Sequence, residues 1–148
     1  MNKQKVLFVC IHNSGRSQIA EALLRHLGGE HFEAESAGFE PGTLNPIVVE
    51  SLREIGIDIS QAKTKSVFDL YKQGRMYQYV VTVCDESKAE RCPIFPGLVR
   101  DRMHWSFQDP SSFEGSHDER LTKTRVVRDQ IKSKIEEFLK TGVAASKR

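Results

Sequence analysis

The 148-residue chain has little cysteine, little tryptophan and almost no net charge: three cysteines, one tryptophan, and +2 from 22 basic and 20 acidic residues. Each shortage excludes something. Three thiols cannot build the dense disulfide framework of a small secreted domain, and an odd count points to reactive cysteines in a reducing compartment. A balanced charge without a basic stripe argues against nucleic acid or a membrane surface as partner. The apolar run nearest the N-terminus, Val6-Leu7-Phe8-Val9, is far too short for a signal peptide or a membrane span. The five histidines do not cluster with the cysteines, and Cys84 and Cys92 are separated by seven residues, unlike the close pairs of zinc sites, so no metal is expected. Repeats and low-complexity tracts are absent. The expectation is one cytoplasmic domain over residues 1–148, monomeric and without a cofactor.

What is present is alternation. Continuous apolar runs at Val6 to Val9 and Tyr79 to Val83 predict strands buried on both faces, as in a parallel sheet. His31 to Ser36 and the more polar Leu98 to Met103 are two further strands. Ile19, Leu23, Leu24 and Leu27 line one face of a helix over Ser17 to Leu27, which Gly28-Gly29 stops. A second helix runs from Pro46 to Ile55, with Asn45 as N-cap and Pro46 at the first helical position. Ser66 to Lys72 predicts a short helix closed by Gly74. Val127, Ile131, Ile135, Phe138 and Leu139 give the longest helix, Glu119 to Lys140, with Gly142 beyond its end and a frayed tail from Ala144. The pattern predicts an α/β fold, a three-layer sandwich around a four-stranded parallel sheet, in which ligands bind at the carboxyl ends of strands.

Chemistry concentrates at one such end. Cys10-Ile11-His12-Asn13-Ser14-Gly15-Arg16-Ser17 joins the first strand to the first helix. A turn there aims successive backbone N–H groups at one centre, and the helix dipole adds positive charge, so the turn can hold a tetrahedral oxyanion. The same field favours thiolate over thiol at Cys10, which makes it a nucleophile. The planar guanidinium of Arg16 can grip two oxygens of the anion at once, and Ser17 can donate to the thiolate. The alternative is a buried cysteine that merely ends a core strand.

Cys84 follows the apolar run Val80 to Val83, so it belongs to the same rim as Cys10. The polar segment Asp85 to Arg91 is made of helix formers and ends before Cys92-Pro93. If helical it would hold Cys84 and Cys92 ~12 Å apart, whereas a disulfide needs α-carbons within about 7 Å. The pair could join only if the segment unwound, which makes it a candidate redox switch; two unrelated thiols flanking a surface helix remain the alternative. Asp109-Pro110, past the fourth strand, offers an acid to a leaving oxygen, but Asp-Pro is equally a turn signal, and the residues alone leave both open.

The string Cys10 to Ala22, with Glu35-Ser36-Ala37-Gly38, Gly56-Ile57-Asp58-Ile59-Ser60, Val81-Thr82-Val83-Cys84-Asp85, Cys92-Pro93 and His104-Trp105-Ser106-Phe107-Gln108-Asp109-Pro110, resembles the thioredoxin-coupled arsenate reductases, which share the low-molecular-weight protein tyrosine phosphatase fold. The resemblance covers nearly the whole chain. It implies that Cys10 attacks arsenate, that Arg16 clamps the oxyanion with the loop Ile11 to Ser17, and that Asp109 is the general acid. Cys84 then resolves the adduct by forming a disulfide with Cys10. Cys92 takes over from Cys10, and thioredoxin reduces the resulting pair. Phosphatases of this fold generally carry aromatic residues after Asp-Pro, where this chain has Ser111-Ser112; that favours a small inorganic substrate over the alternative, a low-molecular-weight protein tyrosine phosphatase. The cysteine pair is one residue further apart than the family pattern. Some members bind potassium behind the loop; Asn13, Glu21 and Ser36 match that set, but Lys65 stands where an aspartate is expected, so the ammonium of Lys65 is expected to replace the ion, an exposed lysine being the alternative.

Overall fold

The computed structural model describes residues 3–85 and 94–146. Strands β1 (Gln4–Cys10), β2 (Phe32–Gly38), β3 (Tyr77–Thr82) and β4 (Val99–His104) alternate with helices α1 (Arg16–Gly28), α2 (Pro46–Arg53), α3 (Val67–Lys72) and α4 (His117–Ser146). A 3-10 turn, Pro110–Ser112, precedes α4. The strands form one parallel sheet in the order β2-β1-β3-β4.

Alternation along β1 assigns the two faces. Val6, Phe8 and Cys10 enter the larger core with Ile19 and Leu23 of α1, Val48 and Leu52 of α2, and Val127, Ile131, Ile135 and Phe138 of α4. Leu7 and Val9 face the other way, against Val67 and Leu70 of α3 and against Phe95. The result is the expected three-layer sandwich. Trp105, just past β4, packs on Phe8 and Phe138 with ring centroids 5.8 and 6.1 Å apart, so it closes the larger core beneath the Asp-Pro loop. On the lower part of the sheet Tyr77 donates to Glu35, and burial first, then the neighbouring carboxylate, pushes its phenol up.

Caps fix the helix starts. Asn45 Oδ1 accepts from Ile47 N at 3.0 Å with Pro46 in the first turn, and Ser66 Oγ accepts from Phe68 N at 3.1 Å. Most boundaries shift by one or two residues, and those of the last helix have identifiable causes. Helix α4 begins two residues before Glu119, because Ser116 and Glu119 form a reciprocal cap: Glu119 N donates to Ser116 Oγ at 3.2 Å and Ser116 N to Glu119 Oε1 at 3.4 Å. It also does not stop before Gly142. The backbone stays helical to Ser146, since one glycine costs only ~1 kcal/mol relative to alanine and good helix formers follow it. The segment Asp85 to Arg91 and Cys92, expected to form a switch, fall outside the described residues apart from Asp85.

The strand order reverses beside β1: β2 lies on one side of it and β3 on the other. Ligand crevices in open parallel sheets form at such a reversal, at the carboxyl ends of the strands. Cys10 ends β1 there, and Cys84 follows β3.

Candidate active site

Residues 11–15 carry the chain from β1 into α1. Segment 39–45 pulls the carbonyls of this turn outward: Phe39 N donates to Cys10 O at 3.3 Å, Glu40 N to Ile11 O at 2.9 Å, Gly42 N to His12 O at 2.9 Å and Asn45 N to Ser14 O at 3.0 Å. Each trans peptide sets its N–H opposite its C=O. The N–H groups that follow those carbonyls, on Ile11, His12, Asn13 and Gly15, therefore turn inward and form a nest of positive dipoles. His12 ties its imidazole to Glu40 O at 3.0 Å, outside the nest. Asn13 adopts φ 56°, a left-handed conformation that asparagine tolerates better than most residues. Gly38, at the end of β2, makes the tight approach possible; a Cβ there would lie 2.7 Å from Ile11 O and 2.8 Å from Asn13 N.

The sulfur of Cys10 receives Asn13 N–H at 3.2 Å and lies 2.8 Å from Ser17 Oγ. Arg16 is 3% exposed, and it reaches the Asp-Pro loop: Nη1 donates to Phe107 O at 3.1 Å, and Nη2 stands 3.5 Å from Asp109 Oδ2. The other oxygen of Asp109 accepts from Ser111 N at 2.9 Å, which caps the 3-10 turn. Asp109 is therefore the turn residue and also sets a carboxylate oxygen beside Arg16 at the cradle. A Cβ on Gly15 would be 3.6 Å from Pro110 Cδ, so the two loops touch.

Behind the turn, Glu21 accepts from Ser36 Oγ at 2.8 Å, while Lys65 Nζ is 3.7 Å from the same oxygen and Arg25 Nη1 3.4 Å from the other. Lys65 Nζ also donates to Lys63 O at 3.2 Å, and Lys65 N to Asn13 Oδ1 at 2.9 Å. The four expected supporting residues Asn13, Glu21, Ser36 and Lys65 thus form one connected group. Among the described residues, no three His, Cys, Asp or Glu side chains are grouped to hold a metal ion.

Val83 N donates to Val9 O at 2.9 Å, so β3 leaves the sheet beside the end of β1 and carries Cys84 to the same rim as Cys10. Cys84 is buried and disulfide-bonded; Cys10 is the free thiol among the described residues. Cys92 lies outside those residues. Sequence reasoning missed Gln18, which is 1% exposed and donates from Nε2 to Asn13 Oδ1 and Lys63 O, both at 3.1 Å. The available signal was a long polar side chain one residue before Ile19, among residues that all turn inward. It also missed Gly38 and the Phe107 carbonyl, for which a strand-end glycine and the Trp-Ser-Phe run offered no pattern.

A nucleophilic thiol, a nest of N–H groups, a guanidinium and a carboxyl group facing it make a site for displacement at a tetrahedral oxyanion. Comparison with known proteins agrees with that chemistry. Residues 5–147 match the low molecular weight phosphotyrosine protein phosphatase family. An arsenate reductase of Shouchella clausii is 39% identical over 143 residues, covering 96% of this chain and 99% of that protein. Among solved structures, an arsenate reductase in the phosphate binding state superposes with a TM-score of 0.77 at 27% identity, covering 93% of this chain and 98% of the other. A thioredoxin-dependent arsenate reductase of Corynebacterium glutamicum gives 0.65 at 31% identity, covering 95% of this chain and 62% of the other.

Proposed function

The chain belongs to the low molecular weight phosphotyrosine protein phosphatase family, and within it to the arsenate reductases; from that premise we propose that it reduces arsenate to arsenite by a relay through Cys10, Cys84 and Cys92, renewed by thioredoxin, as an arsenic-detoxifying enzyme of the cytoplasm.

The thiolate of Cys10 attacks arsenic, and an arsenate hydroxyl leaves as water with a proton from Asp109. Arg16 and the N–H groups of residues 11–17 hold the remaining oxygens. Cys84 thiolate then attacks the Cys10 sulfur: an S–S bond forms, the As–S bonding pair returns to arsenic, and As(V) leaves as arsenite, As(III). Two thiols are needed because arsenic gains two electrons and one thiol cannot supply both as a closed-shell product. Cys92 attacks Cys84 in turn, which releases Cys10 as thiolate, and the dithiol of thioredoxin reduces the Cys84–Cys92 disulfide.

One observation carries the reading: Cys10 is free in its cradle while Cys84, one strand away on the same rim, is disulfide-bonded. Phosphate ester hydrolysis needs only Cys10, Arg16 and Asp109, so a second, oxidised cysteine on the rim fits a redox step. Small Ser111 and Ser112 after Asp109-Pro110, both exposed, fit an inorganic substrate. The test is NADPH oxidation in the presence of thioredoxin and its reductase. Arsenate-dependent oxidation by the wild type is expected; its absence, alongside hydrolysis of aryl phosphate that needs only Cys10, would make the protein a phosphatase.

Lys65 takes the place of a potassium ion beside Glu21, whose other oxygen faces Arg25. The support is its ammonium 3.7 Å from a carboxylate that is 7% exposed and also bound by Ser36. Potassium and sodium at equal ionic strength should give the same turnover and melting temperature, and a selective gain with potassium would contradict the substitution.

A further inference from the structure

We propose that Gln18 is a positioning residue for the nucleophile: together with the backbone of residues 63–65 it fixes the direction of a hydrogen-bond chain that ends on the sulfur of Cys10.

Two groups that cannot reverse anchor the chain. Lys63 C=O only accepts, so the end of the Gln18 amide facing it at 3.1 Å must be Nε2. Lys65 N–H only donates, so the end of the Asn13 amide facing it at 2.9 Å must be Oδ1. Gln18 Nε2 adds a second donor to that oxygen at 3.1 Å. Asn13 Nδ2 is therefore turned to Ser17 Oγ at 2.8 Å and donates to it. A hydroxyl has one hydrogen, and with Nδ2 already donating to this oxygen, the hydrogen is left for Cys10 Sγ at 2.8 Å. Gln18, Asn13 and Ser17 are all at most 1% exposed, so water does not compete for these groups. The connection between the α2–α3 and β1–α1 loops thus ends as a donor on the thiolate, beside the backbone N–H of Asn13.

The inference rests on the assignment of Cys10 as nucleophile but not on arsenate as substrate, so it is tested without arsenate. Reduced protein is alkylated with iodoacetamide from pH 5 to pH 9, and the Cys10 peptide is followed by mass spectrometry. Gln18→Glu removes the donor and sets a carboxylate against Lys63 O and Asn13 Oδ1. The Asn13 amide is then pressed to turn over and present its oxygen to Ser17, which draws the hydroxyl hydrogen from the sulfur. Gln18→Met fills the same space without a donor and serves if the glutamate variant does not fold. The charged groups around the cradle, Arg16 from α1, Asp109 from the loop after β4, and Glu21 with Lys65 behind the turn, are unchanged in Gln18→Met.

The Cys10 rate at pH 6 should fall about tenfold in Gln18→Glu and several-fold in Gln18→Met, with the half-maximal pH raised and the high-pH plateau retained, as about 1.4 kcal/mol per factor of ten requires of one charge-assisted hydrogen bond. In a Ser17→Ala background, Gln18→Met should have no further effect on the half-maximal pH, because Gln18 acts through Ser17. A lower melting temperature with an unmoved half-maximal pH, or shifts that add in the double variant, would reduce Gln18 to a packing residue and overturn the proposal. A wild type that alkylates Cys10 fast at pH 6 yet turns over no arsenate would leave this inference standing while the proposed function fell.

Discussion

Asn13 combines a backbone role with a side-chain role. Its φ of 56° turns its N–H to the sulfur, and its amide links Lys65 N to Ser17 Oγ. The two roles separate by substitution. Asn13→Ala should lose both and destabilise the protein by ~1–2 kcal/mol for the left-handed residue, with more for the severed hydrogen bonds. Asn13→Gly should recover the backbone part of that stability in thermal unfolding while reactivity stays about tenfold down at neutral pH, because Ser17 loses the donor that turns its hydroxyl hydrogen to the sulfur. Equal activity of Asn13→Gly and wild type would mean that the side chain is idle. Asp109 divides similarly, one oxygen capping the turn through Ser111 N and the other facing Arg16. Asp109→Asn keeps the cap and removes the acid, so kcat should drop by ~10²–10⁴ with little change in melting temperature; a matching loss of stability would reduce Asp109 to a turn residue. Asp-Pro left both roles open in the sequence, and to the turn the structure adds a second carboxylate oxygen beside Arg16.

The helices behind the cradle are tied to one another. Helices α1, α2 and α4 share one core, and α2 meets α4 through Glu54: Arg125 Nε donates to Glu54 Oε1 at 2.9 Å, while Arg128 Nη1 bridges Glu54 Oε1 at 3.1 Å and Ser51 O at 2.7 Å. The hydrogen bond from Arg125, with Arg128 beside it, holds the Glu54 carboxyl below its ordinary value. A lowered carboxylate adds stability above its unfolded pKa, and that stability is lost as pH falls through the folded value. Arg125→Ala should therefore lower stability only slightly at neutral pH, the pair being open to solvent. The gap to wild type in urea unfolding should narrow as pH drops from about 5 to about 3, and a gap that widened with acid would contradict this account of the contact. The same elements mark what the sequence made legible. Apolar runs and periodicity located β1, β3, α1, α2 and α4, and Asn45-Pro46 located a helix start, because one strong local signal set each; β2, β4 and α3 rested on weaker patterns and fell within two residues of expectation. Ends set by weaker or cooperative signals shifted: Ser116 and Glu119 cap each other only as a pair, and Gly142 reads as a stop unless the helix formers beyond it are counted.

For the molecule as a whole, topology converts motifs into a site. Cys10, Cys84 and Asp109 are distant in sequence, and only the order β2-β1-β3-β4 brings the ends of β1 and β3 side by side under the loop that follows β4. Cys10 to Ser17 was legible as an oxyanion turn because its chemistry is local. Gln18, the Phe107 carbonyl and the 39–45 segment that orients the turn were not, because their roles depend on backbone groups up to 91 residues away. The relay is the claim on which the whole account depends, and single-turnover chemistry tests it most directly: reduced wild type, Cys10→Ser, Cys84→Ser and Cys92→Ser are each mixed with excess arsenate without thioredoxin, and released arsenite and the disulfides formed are measured by mass spectrometry. The account predicts about one arsenite per chain with a Cys84–Cys92 disulfide in the wild type, about one with a Cys10–Cys84 disulfide in Cys92→Ser, and none in the other two. Arsenite release from Cys84→Ser, or a Cys92→Ser protein that yields arsenite without any Cys10–Cys84 bond, would contradict it.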